Sequence, residues 1–541
     1  MQGAAVAVAG AAIMGVAGCT ADQTAASHTP VGLPDAWDFE ADIVVVGYGG
    51  AGSIAAITAA DNGSSVFLIE KYPNDTETEI RHTPSSRAAG AALLNCWNKE
   101  DGAKALRAHS MELTDQEVCD AWAERASKHL DYLRSLGFEY SQPQNPAEGG
   151  RESNGEYPML YGGNSSILAN GVIPGNGSGF MQVARKCIAD RSDKISVLWE
   201  TEGRRLIRNE ETKEICGVIC LTADGKEIAV KAKKAVALTT GGFGQNEDMK
   251  KNYLRGYPAH YYACTNSNGD GIKMGQAVGA ELVHMTNCQG GGITYHPDWG
   301  RGASFSSNNA SIYVSKRGNR FFYEMGGPSH GLWFEFCKID PKTADFPNTP
   351  SWRIFGADAK WPLIATREKG FLDGTAQSQD WAPTSEEVVD KELMISKGWV
   401  MTADTVEAMA EAILADPENE GKMDVETLKT TIENYNRYVT EGSDPEFGRP
   451  EASLAPLNPP YYWMKNYPGG AATQGGLKRN AKGQVVDVFG DPILRLYVAG
   501  ENGNVWACFY PRAGTNTSDN VAFGWIIGDE MSALEPWEQA E

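Results

Sequence analysis

Residues 510 to 524 read YPRAGTNTSDNVAFG and crowd a tyrosine, a proline and an arginine onto the entrance of the last predicted helix of a 541-residue chain. A phenol beside a helix N-terminus is a neutral hydrogen-bond donor in a field that favours negative charge. It suits an oxygen that gains charge during a reaction, so Tyr510 is a candidate donor. Arg512 would bind a carboxylate on a substrate, act as an acid, or pair with a nearby Asp or Glu, and the sequence leaves all three open. What the turn faces depends on the elements that precede it.

From Asp42 the chain reads DIVVVGYGGAGSIAAITAADNGSSVFLIEK. An apolar run leads into Gly47, Gly49 and Gly52 at GxGxxG spacing, and Gly50 and Ala51 open an Ala-rich helix. A second apolar run ends in Glu70 and Lys71. Gly47 allows the tight turn, Gly49 lets the backbone approach a pyrophosphate, and Gly52 permits close packing of helix on strand. The helix N-terminus supplies N–H groups and a positive dipole end to the phosphates. A bare glycine turn would explain the spacing but not the acid 23 residues after its first glycine, placed to accept from ribose hydroxyls. NAD and FAD share this unit, so three further segments must choose between them.

Those segments are AVALTTGGFGQN, with Thr240 and Gly241-Gly242 at the end of a buried strand; NSNGDGIKMGQAVGAELVHM, with Asp270 in a turn that opens a helix; and RLYVAGE, ending in Gly500-Glu501. They resemble the signatures of the FAD-binding fumarate reductase and succinate dehydrogenase flavoprotein superfamily. SIYVSKRGNRFF, LKTTIENYNRYVTEGSDPEFGRP and TQGGLKRNAKGQVVDVFGDPILRLYVAGE extend the resemblance, in order, across most of residues 40 to 528. It implies FAD. The expected contacts are the residues named above together with Ser86, Ala89 and Gly90 in SSRAAGAALL and Thr515, Asn516 and Thr517 at the last helix. Gly90 and Gly241-Gly242 would let the flavin ring be approached.

The resemblance also implies an α/β fold. A Rossmann-like FAD-binding domain is split into residues 40–288 and 468–541, and an α+β capping domain, 289–467, is inserted between them. Residues 1–19 would be a leader and 20–39 a tether. The alternation in 196–239 predicts a β-meander returning to the nucleotide sheet. Two amphipathic helices are predicted in the cap, TADTVEAMAEAI and DVETLKTTIENYNRY, with Thr402 and Asp424 as N-caps.

The opening stretch resembles the YPGxGxxxGxAxxFG loop of 3-ketosteroid dehydrogenases and related ketosteroid reductases. The resemblance gives Tyr510 and the backbone N–H of Gly514 the role of carbonyl donors. Three departures stand out. Arg512 replaces a glycine of that loop. Ala472 stands where fumarate reductases carry a histidine, and EMGGPS ends in Ser329 where they carry an arginine and ketosteroid dehydrogenases a tyrosine. Fumarate is therefore disfavoured as substrate, and the proton falls to His330 first, then to Ser329 with a base, Tyr323 or Tyr295-His296. The expected reaction is reduction, or its reverse, of a C=C bond conjugated to a carbonyl in a small unsaturated substrate, with steroid-like shapes among the candidates. A ketosteroid dehydrogenase running oxidatively and a flavin oxidase of amines or hydroxy acids are the alternatives, with a flavin-bearing electron-transfer subunit as a third.

A net charge of −22 repels phosphate backbones and anionic lipid, so nucleic acid is excluded as a partner. The ten cysteines form no CxxC, CxxCH or zinc spacing, so no metal site of the chain's own is expected, and Cys216 and Cys220 read as core. Electrons must then pass to or from a separate cytochrome, flavoprotein or quinone-linked carrier. Residues 1–19 run small and apolar into Val16-Ala17-Gly18-Cys19, which resembles a bacterial lipobox. The expectation is an exported protein held to the outer face of a membrane by a lipid on Cys19 alone.

Overall fold

The strand Phe39–Val46 lies inside the main sheet, parallel to Val66–Ile69 on one side and to Glu227–Leu238 on the other. A parallel strand covered on both faces has no use for alternation, which is why DIVVV is continuously apolar and Ile43 to Val46 are buried. In this computed structural model the described residues are 28–74, 85–88, 93–96, 98–139, 160–161, 176–263, 266–297, 302–303, 311–324, 331–358, 391–507, 510–511 and 514–539.

Ile195–Leu198 extends the sheet beyond Val66–Ile69. At the other side Pro492–Val498 pairs in parallel with Glu227–Leu238, so the sheet is completed by a strand from far along the chain. The meander is present as Thr201–Arg208, Ile215–Thr222 and Glu227–Leu238 in antiparallel order. Cys216 and Cys220 are buried in its middle strand. Residues 28–38, expected as tether, lie against this meander: Val31 N–H donates to the Leu206 carbonyl at 3.0 Å, and Asp38 accepts from Ala229 N–H at 2.9 Å.

Two buried helices, Gly50–Asp61 and Thr515–Ser532, pack on the sheet against each other. Their approach depends on glycine. A Cβ added at Gly528 would stand 2.5 Å from Thr58 Cβ, and one at Gly524 would stand 2.9 Å from Ile54 Cβ.

A second sheet holds Cys288–Tyr295, Tyr461–Thr473, Ser351–Phe355 and Ser311–Val314, with Met401–Ala403 added at one edge of the long strand and His260–Tyr261 along the other end. Positions 288/289 and 467/468 fall within its paired strands. The long strand thus runs from the cap core down to Thr473, whose hydroxyl accepts from Phe243 N–H of the nucleotide domain at 2.8 Å. Cap helices Val406–Leu414 and Val425–Glu441 close over Ile312, Val314, Trp352 and Ile354. Asp424 caps the second helix, accepting from Thr427 N–H at 2.7 Å. Thr402 does not cap the first. It is paired with Tyr462 in the sheet, and Thr405 takes the cap by accepting from Ala408 N–H at 3.1 Å.

The motif residues of GNRFFYE and EFGRP meet in the cap interior. Arg320 donates to Glu324 at 2.8 and 2.7 Å and to Asp444 at 3.0 Å, and Arg449 donates to Glu324 at 3.2 Å and to the Ser311 carbonyl at 2.9 Å. All four side chains are sealed from solvent, and Tyr435 and Phe447 lie under the Arg320 guanidinium. Among the described residues no helix is long and apolar enough to cross a membrane, and no group of three or more His, Cys, Asp or Glu is placed to hold a metal ion.

Candidate active site

A cleft is walled by the first glycine turn, the end of the second strand, the TTGG turn, Asp270 and the Ala499–Glu501 turn. Gly47 has φ +107°, and a Cβ there would stand 2.5 Å from the Thr239 carbonyl oxygen. A Cβ on Gly52 would stand 2.0 Å from the Gly47 carbonyl oxygen, so the spacing is steric in origin. Gly49 begins the helix without a side-chain cap, and Gly50 N–H donates to Ser86 Oγ at 2.9 Å. The Ser86 hydroxyl therefore stands at the helix N-terminus, where an anion would be held.

Glu70 is buried at the end of the second strand. Its two oxygens accept from Tyr48 N–H at 2.8 Å and Tyr72 N–H at 3.0 Å, and burial raises its pKa against those bonds. Each oxygen keeps a lone pair for a hydroxyl donor. Lys71 donates to the Asn266 carbonyl and pairs with Asp270 at 3.1 Å, which brings the acid-lysine end of the first motif onto the first residue of the helix Asp270–Ala277. Thr240 accepts from Gly271 N–H at 3.1 Å and donates to Asn502 at 2.9 Å, so it braces the wall. Of the two glycines expected near the ring, Gly241 faces the cleft, and a Cβ added there would stand 3.8 Å from Ser267 Oγ. Gly242 is glycine because Thr473 Oγ1 would lie 2.2 Å from a Cβ at that position.

The last helix starts at Gly514, with φ +94°, and Thr515, Asn516 and Thr517 are buried in its first turn. Asn516 N–H donates to the Tyr510 hydroxyl at 3.4 Å, and Asn516 Nδ2 donates to Glu501 at 2.8 Å. Burial drives the Tyr510 phenol pKa far up, so it stays protonated. Burial also raises Glu501 to about 7, against hydrogen bonds from Ser85 and Asn516. Behind this turn Asp519 pairs with Arg479, and burial raises the Asp519 carboxyl to about 6 although Arg479 opposes it.

The structure thus collects Gly47, Gly49, Gly50, Ala51, Glu70, Lys71, Ser86, Gly241, Asp270, Gly500 and Glu501 around one cleft, and sets Tyr510 at the entrance of the helix that reaches Glu501. Ala89, Gly90, Arg512, Ser329 and His330 lie outside the described residues. Tyr323 is half-buried, the Tyr295 ring stacks on His260 at 3.7 Å, and the His296 ring lies 6.3 Å from that of Trp399. Ala472 is buried and brings no polar group. Sequence reading missed Asn520. It lines the cleft between Gly50 and Gly500, where added Cβ atoms would stand 3.0 and 2.8 Å from its amide. It sits one turn into a helix, and nothing local marks it.

The donor set suits FAD: a glycine-lined helix N-terminus for the pyrophosphate, a strand-end carboxylate for the ribose, and a long cleft leading toward Glu501. Known proteins agree. Digoxin reductase of Eggerthella lenta is 27% identical over 93% of this chain and 89% of its own length. Urocanate reductase of the same organism is 27% identical over 93% of this chain and 76% of its own length. The crystal structure of 3-ketosteroid delta1-dehydrogenase from Sterolibacterium denitrificans superposes with a TM-score of 0.73 at 20% identity, covering 91% of this chain and 99% of that one, and so shares the fold. The family described as FAD binding domain matches residues 42–517. The chain belongs to the FAD binding domain family, as an FAD-dependent oxidoreductase acting on CH–CH bonds.

Proposed function

We propose that this protein reduces a carbon–carbon double bond conjugated to a carbonyl in a small organic substrate. The observation that carries the reading is Tyr510, a buried phenol that accepts a hydrogen bond from the N-terminus of the last helix and sits beside the Glu501 end of the cleft. When bound, FAD supplies hydride transfer at the substrate carbon. The residues supply the rest. Tyr510, backed by the helix dipole, donates to the carbonyl oxygen and stabilises the charge that develops there. Its neutrality suits this task, because a protonated phenol holds an enolate oxygen without holding a counter-anion when the site is empty.

The opposite carbon needs a proton from the cap side, and His330 and Ser329 remain the first candidates for it. Buried Ala472 removes one polar group that a small dicarboxylate would use, which favours a substrate other than fumarate. The reductive direction is favoured by the two curated relatives, both named as reductases. Electrons then come from a separate carrier protein or quinone-linked donor, and the leader ending at Cys19 puts the chain outside the cytoplasmic membrane on a lipid anchor.

The test is anaerobic oxidation of reduced viologen by the purified, FAD-loaded protein. The reading expects dye oxidation with at least one enone, unsaturated lactone or unsaturated acid. No oxidation with any of them, coupled with peroxide formation from an amine or hydroxy acid in air, would replace it with the oxidase reading.

A further inference from the structure

The side chain of Glu501 is aimed by a chain of amides that starts from a group able only to donate. Trp506 N–H donates to Asn504 Oδ1 at 2.9 Å, so Asn504 turns its Nδ2 the other way, and that group donates to Asn516 Oδ1 at 3.3 Å. Asn516 is thereby turned in the same sense, and its Nδ2 donates to Glu501 Oε1 at 2.8 Å. The backbone of Asn504 is pinned as well: its N–H donates to the Gln474 carbonyl at 3.2 Å, and its carbonyl accepts from His284 Nδ1 at 2.8 Å. Trp506, Asn504 and Asn516 are all buried.

Glu501 Oε1 is therefore an acceptor whether the carboxyl is charged or neutral, and a proton can sit only on Oε2. That oxygen lies on the Gly241 side, 4.0 Å from a Cβ added there, and Gly241 faces the cleft. The other partner of the carboxyl is Ser85, whose hydroxyl can turn from donor to acceptor. Among the described residues no Lys, Arg or His pairs with Glu501, and its charged neighbour Asp519 has the same sign and is already paired with Arg479. An anion so placed has nothing to offset a second negative charge in the cleft, and the arrival of one favours the neutral acid. Burial already raises Glu501 to about 7, so the acid is within reach near neutral pH.

We propose that Glu501 takes up a proton at Oε2 when bound flavin is reduced and releases it on reoxidation, with Asn504 and Asn516 as the residues that position it. Two-electron reduction by a separate carrier brings one proton onto the cofactor and leaves one negative charge more in the cleft. The Glu501 carboxylate then takes a second proton from solvent, and returns it to solvent when hydride has left to the substrate. The proposal concerns the cofactor site alone, so it does not depend on Tyr510 or on which substrate is reduced.

The experiment is an anaerobic titration of the flavin midpoint potential against indicator dyes, on FAD-loaded wild type, Glu501→Gln and Asn504→Leu, at pH values on both sides of about 7. Flavin absorbance and thermal melting check that each variant is loaded and folded. Glutamine keeps the Oε1 acceptor and places an N–H where Oε2 would carry the proton, so Glu501→Gln imitates the neutral acid without titrating. The potentials of wild type and Glu501→Gln should run parallel below about pH 7 and separate above it. The wild type should fall faster there by up to tenfold in equilibrium constant per pH unit, about 30 mV for a two-electron couple. Asn504→Leu frees the Asn516 amide to turn, so the onset of that separation should move up in pH as the carboxylate loses a donor committed to its charged form. Potentials of wild type and Glu501→Gln that stay parallel throughout overturn the proposal, and an onset unmoved in Asn504→Leu overturns the amide chain. If Glu501→Gln does not hold flavin, wild type against Asn504→Leu decides, and curves that run parallel throughout overturn the proposal. Viologen oxidation by an unsaturated substrate reads the double-bond chemistry separately, so either reading can fail while the other stands.

Discussion

Two buried charge clusters in this protein look alike in sequence and differ in chemistry. In the cap, Arg320, Glu324, Asp444 and Arg449 come from recognisable motifs and pair with one another: burial is the largest influence on the Asp444 carboxyl and raises it, yet the hydrogen bonds and charge of Arg320 together with the Phe447 and Glu446 N–H groups outweigh it and the net shift is downward. Beside the cleft, Glu501 and Asp519 also come from recognisable motifs, but burial wins at both, raising them to about 7 and about 6. One Asp519 oxygen has no hydrogen-bond partner among the described residues. A carboxylate that is fully paired holds a fold together, whereas one left poised near neutrality is available to a ligand. Motif membership does not tell the two apart. The arrangement of partners does.

The contrast is tested most forcefully at Glu324. Replacing it with alanine leaves two guanidinium groups buried with one carboxylate fewer, and should cost about 3–5 kcal/mol, seen as a large drop in Tm with bound flavin kept in whatever folds. A small Tm change would show that the cap cluster is not structural. Next in size, Tyr510→Phe should lower kcat/KM by about 10²–10³ with flavin content unchanged, the loss expected for one donor to a developing oxyanion. Turnover equal to wild type would remove Tyr510 from the site.

Glu501 extends the contrast to pH. Its folded pKa of about 7 lies above the ordinary glutamate value of 4.5, so its contribution to the stability of the apoprotein is full below about pH 4.5 and is lost as pH rises through about 7. Glu501→Gln cannot titrate, so the Tm difference between variant and wild type should move in the variant's favour across that window. A constant difference would mean that Glu501 is not poised. The smallest effect belongs to Lys71, whose pair with Asp270 is partly exposed. Lys71→Ala should weaken FAD binding by about 1 kcal/mol or less, read as a several-fold rise in Kd by flavin fluorescence titration.

Much of the nucleotide end was legible because its rules are local. Gly47 and Gly52 are required by contacts within a strand-turn-helix unit, and the strand from Phe39 is apolar throughout its inner part because it is covered on both faces. The cap helix start shows where local reading fails: Thr402 has the right residue type, but the long strand Tyr461–Thr473 claims it for the sheet and Thr405 becomes the cap. Gly242 is a second case. It reads as room for a ring, and its reason is Thr473, far along the chain.

The glycine turn and its acid are written in the spacing of residues alone, and the cofactor, the split α/β fold and the candidacy of Tyr510 in the family resemblance that the ordered motifs carry. Folding was needed to show that Lys71 meets Asp270, that Asn520 sits between Gly50 and Gly500, and that the cap arginines are spent on their carboxylates. The physical reason is the same each time. Burial and pairing are properties of neighbours in space, and the chain brings these neighbours together only when the last strand and helix return to complete a sheet begun at Phe39.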